Sequence, residues 1–146
     1  MTAIPTTIDV RNCHLVPVRG ASDPRGTVNF LEVGREVGFE VRRVFYIHGV
    51  PAGHARGRHG HRKLELLLLA LSGGCDVVVD DGRRRHTLRL ERPDLGLYVG
   101  PWVWHELVDF AAGTVVLALA SAAYDEADYI RDEATFRREV ASRFDG

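Results

Sequence analysis

Short runs of alternating apolar and polar residues recur about every eight to twelve residues through most of the chain, with no helical spacing between them. "NCHLVPV" and "TVNFLEV" alternate, "EVRRVFYIHGV" is rich in β-branched and aromatic residues, and Gly38, "PAG" and "GG" punctuate the runs. Asp81-Gly82, between "CDVVV" and "RRHTLRL", signals a hairpin, because glycine supplies the positive φ that a tight turn needs. "GLYVGPWVWHELVDF" and "TVVLALAS" add a further strand pair. This pattern favours an all-β sandwich or small barrel over a βαβ fold. The period changes only in "DEADYIRDEATFRREVASRF". There Tyr129, Ile130, Phe136, Val140 and Phe144 are spaced as one helical face, with acids early and arginines late. A C-terminal helix over about residues 125–143 is expected, covering a sheet edge or face.

The 146 residues suit one domain, 1–146, large enough to hold a deep pocket. No repeat, low-complexity tract or linker composition divides it. Nineteen basic and twenty acidic side chains leave a net charge of −1, so no global field favours nucleic acid or an anionic membrane. The start, "MTAIPTTIDV", has neither a basic nor an apolar targeting region, and the apolar run Leu66–Leu71 is too short to span a bilayer. A cytoplasmic protein with no membrane partner is expected. Cys13 and Cys75 lack CxxC spacing and read as small buried hydrophobes. Arg83 to His86, "RRRH", follows the hairpin turn and reads as a solvated strand.

Chemistry concentrates in "ARGRHGHRKLE", Ala55 to Glu65. On a strand, His59 and His61 project to the same face, with Gly60 between them allowing close backbone approach. Two imidazoles in a partly desolvated cavity suit either metal ligation or proton transfer. For a metal, Gly53, His59, His61 and Glu65 reproduce the first metal-binding spacing of the cupins, with His105 downstream as a third histidine. The second half of that pattern departs from the family. Trp104 precedes His105, Asp109 occupies the distal position, and the proline-to-histidine spacing is one residue short. For proton transfer, Arg56 lies three residues before His59, and the period-2 rule places Lys63 on the same face as both histidines. Crowded positive charge disfavours a divalent ion and favours an anionic ligand or a developing enolate.

In "RRVFYI", "RGRHGHRKLELLLLALSG", "VVVDDG", "GLYVGPWVWHEL" followed by "DF", and "LALASAAYDEADYIRD", the chain closely resembles the cupin 3,4-ketoisomerases of nucleotide-linked 4-keto-6-deoxyhexoses. These segments run in one order from Val41 to Asp132, and "YDEADYIRD" and "GLYVGPWVWHE" are the most specific. "DPRG" at Asp23 to Gly26 and "RGRH" also resemble segments of the related cupin 3,5-epimerases. The resemblance implies an all-β cupin, or jelly-roll barrel, with a C-terminal helix. It also implies a dTDP-linked 4-keto-6-deoxy sugar as substrate, no cofactor or metal, and a homodimer that exchanges N-terminal strands, with "NCHLVPV" as the arm.

Converting a 4-keto to a 3-keto sugar needs a proton removed from C3, one returned to C4 and one moved between the oxygens. Two acid/base groups are enough. On this reading His59 acts at carbon, His61 relays between oxygens, Arg56 stabilises enediolate charge and Tyr46 lines the sugar pocket. Arg25 would contact the diphosphate, and Arg43 and Lys63 would extend a cationic wall. Tyr98, Trp102 and Trp104 offer either a stacking surface for thymine or core packing, and His105 is expected to face the pocket. Two alternatives stay open: a metal-dependent cupin enzyme using His59, His61, Glu65 and His105, and a non-catalytic sugar-nucleotide-binding module.

Overall fold

In a computed structural model that describes residues 6–145, the alternating segments become strands. They are β1 (Cys13–Pro17), β2 (Arg19–Asp23), β3 (Gly26–Phe30), β4 (Arg43–His48), β5 (Arg56–His61) and β6 (Leu66–Ser72). Then follow β7 (Cys75–Asp80), β8 (Arg85–Leu90), β9 (Leu95–Val99), β10 (Trp104–Val108), β11 (Val115–Ala120) and β12 (Tyr129–Ile130), before the helix α1 (Glu133–Phe144). Two five-stranded antiparallel sheets, ordered β1-β9-β6-β11-β4 and β12-β5-β10-β7-β8, share one apolar core. That core draws Leu66, Leu68, Val116 and Ala118 from the first sheet and Val77, Val79 and Leu107 from the second. The expected all-β cupin sandwich with a C-terminal helix is the fold observed.

Local pattern accounts for the elements. In β11 burial alternates strictly, and Val116, Ala118 and Ala120 face the core. The continuous run "LLLLA" of β6 is instead buried on both faces. Leu66, Leu68 and Ala70 fill the sandwich, while Leu67 packs outward against Val37 and Phe39, from a segment that crosses the back of the sheet. The hairpin at Asp81-Gly82 forms between β7 and β8, with Gly82 at φ 95°. Its arginines are ion-paired on the surface, Arg83 with Asp145 and Arg85 with Asp80 and Glu106. Among the described residues, β2 and β3 pair only with each other.

The tail differs from its sequence reading. The helix begins at Glu133 rather than near residue 125, with Asp132 as N-cap accepting from the Thr135 N–H at 2.9 Å. Ahead of it, a 3-10 turn at Glu126–Asp128 leads into β12, which pairs with β5 through Tyr129↔His61 and Ile130↔Gly60. Tyr129 and Ile130 serve opposite faces of the sheet edge, Tyr129 toward the histidines and Ile130 toward the helix. A strand allows that division, whereas a helix puts adjacent residues only about 100° apart. Phe136 and Val140 then bury α1 against Trp104 and Ile130 on the back of the second sheet. Gly60 eases this docking: a Cβ there would stand 3.1 Å from the Phe136 ring, so the ring would have to shift slightly.

Candidate active site

Strand β5 carries His59 and His61 to one face, and β10 brings His105 opposite His59 in register. The His59 ring lies 4.8 Å from His61 and 4.7 Å from His105, centroid to centroid, edge-on to both. Tyr129 closes the group, 4.8 Å from His59 and 4.3 Å from His61. The three imidazoles border a cavity of about 770 Å³, walled on the other side by Arg43, Phe45 and Ile47 of β4 and rimmed by Arg56 and Arg131.

Burial and mutual proximity keep the imidazoles neutral. Desolvation, then the neighbouring His61 and Arg131, pulls His59 down to about 4. His61 falls to about 3 through desolvation followed by His105, Arg43 and Arg131. His105 falls to about 3 through desolvation, followed by His59. At neutral pH each ring therefore has a lone pair available to take a proton. The surrounding arginines add positive potential where an anionic ligand or enediolate would sit.

Of the residues singled out in the sequence, His59, His61, His105, Arg43 and Arg56 meet at this cavity. Tyr46 borders it too, but lies on the face of β4 opposite Arg43, Phe45 and Ile47, stays 66% exposed and stacks near His48. Arg25 is at the exposed turn of the β2–β3 hairpin, paired with Asp23 at 2.6 Å and away from this chain's own cavity.

Four expectations need correction. Lys63 does not share the histidine face, because β5 ends at His61 and the chain bends around Asp128; Lys63 lines a separate groove with Glu65 and Ser121. Tyr98 belongs to the other sheet, stacks on His14 and donates its hydroxyl to Glu65 at 2.7 Å. Trp104 is 4% exposed beneath α1, and Trp102 packs beside it, so neither joins Tyr98 in a stacking surface. Glu65, engaged by Tyr98, is absent from the cluster in which the His59, His61 and His105 nitrogens lie within 4.8 Å of one another. The three-histidine, one-carboxylate metal set of the sequence reading is therefore not assembled.

Sequence reasoning missed Tyr124, Asp128, Tyr129 and Arg131. Arg131 is clamped by Glu126 at 2.6 and 2.8 Å and lies 4.4 Å over the Tyr129 ring. Their segment, "YDEADYIRD", was conspicuous, but its apolar residues were assigned to a helix face. No local period marks Tyr129 as a cavity residue; its position follows from the pairing of β12 with β5.

Residues 11–141 match the family model FdtA, described as WxcM-like, C-terminal. The TDP-4-oxo-6-deoxy-alpha-D-glucose-3,4-oxoisomerase of Aneurinibacillus thermoaerophilus is 43% identical over 119 residues, 82% of this chain and 86% of that protein. A histidine-to-asparagine mutant of the 3,4-ketoisomerase QdtA from Thermoanaerobacterium thermosaccharolyticum, in complex with TDP-4-keto-6-deoxyglucose, is similar with a TM-score of 0.90 at 35% identity. That match covers 92% of this chain and 98% of QdtA. The WlaRB TDP-quinovose 3,4-ketoisomerase from Campylobacter jejuni gives a TM-score of 0.85 at 41% identity, over 88% of this chain and 99% of WlaRB. With neutral histidines gathered in an arginine-rimmed cavity and likeness along nearly its whole length, this chain belongs to the FdtA family of cupin-fold sugar-nucleotide 3,4-ketoisomerases.

Proposed function

We propose that the protein converts TDP-4-keto-6-deoxyglucose into a TDP-3-keto-6-deoxyhexose by proton transfer through an enediolate, in deoxysugar biosynthesis. The observation that carries this reading is the pair of neutral imidazoles, His59 and His61, side by side in one cavity. His59 takes the C3 proton, and the electron pair of that bond forms the C3–C4 double bond while O4 becomes anionic. His61 accepts the proton of the O3 hydroxyl and returns one to O4. The His59 imidazolium exchanges its proton with solvent and then protonates C4 as O3 becomes the new carbonyl, so protons and electrons balance without a redox partner. Arg56 and Arg43 supply positive charge beside the enediolate. Tyr46 contributes at the cavity rim, and His105 completes the imidazole wall.

Incubation with TDP-4-keto-6-deoxyglucose in deuterium oxide tests this. Deuterium at C4 of a new 3-keto sugar is expected, with turnover unchanged by chelator. Binding with neither exchange at C3 nor new product would leave the non-catalytic module, and loss of turnover on chelation would restore the metal-dependent reading.

The proposed assembly is a homodimer that exchanges N-terminal strands; the expected arm "NCHLVPV" is β1 and pairs with β9 of its own chain, so the segment offered for exchange is the β2–β3 hairpin instead. Support comes from the β2–β3 hairpin, which leaves Val28 65% exposed and Phe30 and Val33 uncovered, and from the open edge of β4 with Val44 and Tyr46 exposed. Such apolar strand surface is costly in a monomer and is covered when a second copy docks. Exchange would carry Arg25 of one copy toward the cavity of the other, to meet the nucleotide diphosphate. Sedimentation equilibrium is expected to give twice the chain mass, and Val28→Asp with Phe30→Asp is expected to give a monomer. A wild-type monomer at micromolar concentration would defeat the dimer.

A further inference from the structure

The cavity histidines are not equivalent in what stands behind them. The Nδ1 atoms of His59, His61 and His105 are all buried without a hydrogen-bond partner, but that of His61 lies 3.5 Å from Oδ2 of Asp128. Among the described residues, His59 and His105 have no carboxylate within ion-pair distance. Asp128 is fastened without any help from His61. The Lys63 N–H donates to its Oδ1 at 2.7 Å, the Leu64 N–H donates to its Oδ2 at 3.1 Å, and the Arg62 N–H donates to its backbone carbonyl at 3.0 Å. The turn that ends β5 is thus wrapped around this carboxylate, and the register Tyr129↔His61 sets Asp128 next to the ring.

We infer that Asp128 is a positioning residue that holds His61 in the tautomer with its proton on Nδ1. Of the two neutral tautomers, the one with a bare Nδ1 would aim a lone pair at a carboxylate. The other aims an N–H at it, and a buried N–H without an acceptor is costly. The second is therefore favoured, and Nε2 is left with its lone pair for the cavity. The separation of 3.5 Å is slightly longer than a hydrogen bond, as such contacts often are before substrate closes the site. The consequence is a division of labour: Nε2 of His61 is preset to accept a hydroxyl proton and give it back, whereas no carboxylate stands behind His59 among the described residues. The inference rests on the proposed role of His61 as the oxygen-to-oxygen relay.

The test uses Asp128→Asn in the full chain. Asparagine keeps an acceptor for the Lys63–Leu64 turn, but its amide can donate to Nδ1 and so reverse the tautomer. Long-range 15N correlation spectra of the histidines are expected to show His61 protonated on Nδ1 in the wild type and shifted toward Nε2 in the variant. The expected kinetic effect is a fall in kcat of about 10²–10⁴-fold with KM within about threefold, the upper end being the size seen when a carboxylate that sets the tautomer of a catalytic histidine becomes an amide. Wild-type His61 protonated on Nε2 overturns the inference even if the variant does not fold. So does a folded variant with unaltered tautomer and unaltered kcat. A wild type that fails to isomerise TDP-4-keto-6-deoxyglucose overturns the proposed function instead, while the tautomer result stands by itself.

Discussion

Replacing His59 with asparagine is expected to lower kcat by about 10²–10⁴-fold and to abolish exchange of the C3 hydrogen with solvent, because one positioned general base typically contributes that much. His61→Asn is expected to be comparably slow in turnover yet to retain C3 exchange, since its proton moves between oxygens after the C–H bond has broken. The two variants therefore separate the roles of neighbours whose rings are only 4.8 Å apart. Calorimetric titration with TDP is expected to give affinities within a few fold of wild type for both, because the arginines remain and asparagine is smaller than imidazole. Equal loss of exchange in both variants would mean that the pair shares the carbon chemistry.

The second large effect is on stability in acid. All three cavity histidines have folded values well below their unfolded value of about 6.5, near 4 for His59 and 3 for His61 and His105. Above pH 6.5 both states hold these rings neutral, and the full stability is present. As pH falls below 6.5 the unfolded chain takes up protons that the folded chain refuses, so stability is lost progressively down to pH 3 to 4. Each proton is worth about 1.4 kcal/mol per pH unit, so three together approach about 4 kcal/mol per unit near pH 5. A fold of ordinary stability, about 5–15 kcal/mol, is expected to unfold in this window. Urea midpoints measured from pH 7 to pH 4 should fall steeply, and His105→Asn should flatten the slope by about one proton. A midpoint independent of pH across this range would mean that the rings are solvated.

Much of the architecture was legible because a strand's face assignment is written locally. β11 alternates residue by residue, Asp81-Gly82 marks its own turn, and "HGH" puts two rings on one side. What could not be read was which strands become neighbours. His105 meets His59 only through the pairing of β10 with β5, 46 residues apart in sequence. Tyr98 and Trp104 are six residues apart, but they are divided between two sheets, and no local period distinguishes that from a shared surface. Lys63 failed for a different reason: the period-2 rule was extended past the end of a strand that stops where Asp128 captures the following backbone. Tyr129 and Ile130 matched a helical stripe, but pairing with the open edge of β5 outweighed that intrinsic pattern.

The two-residue strand β12 gives the enzyme a mechanical property. Tyr129 touches the cavity imidazoles on one side of the sheet, and Ile130 touches the buried Phe136–Val140 face of the helix on the other. The floor of the histidine cavity and the seat of the C-terminal helix are thus opposite surfaces of a wall one peptide thick. Any fraying of the helix therefore reaches the imidazole cluster without passing through an intervening layer, so on the proposed function the precision of proton transfer depends on how firmly α1 is docked.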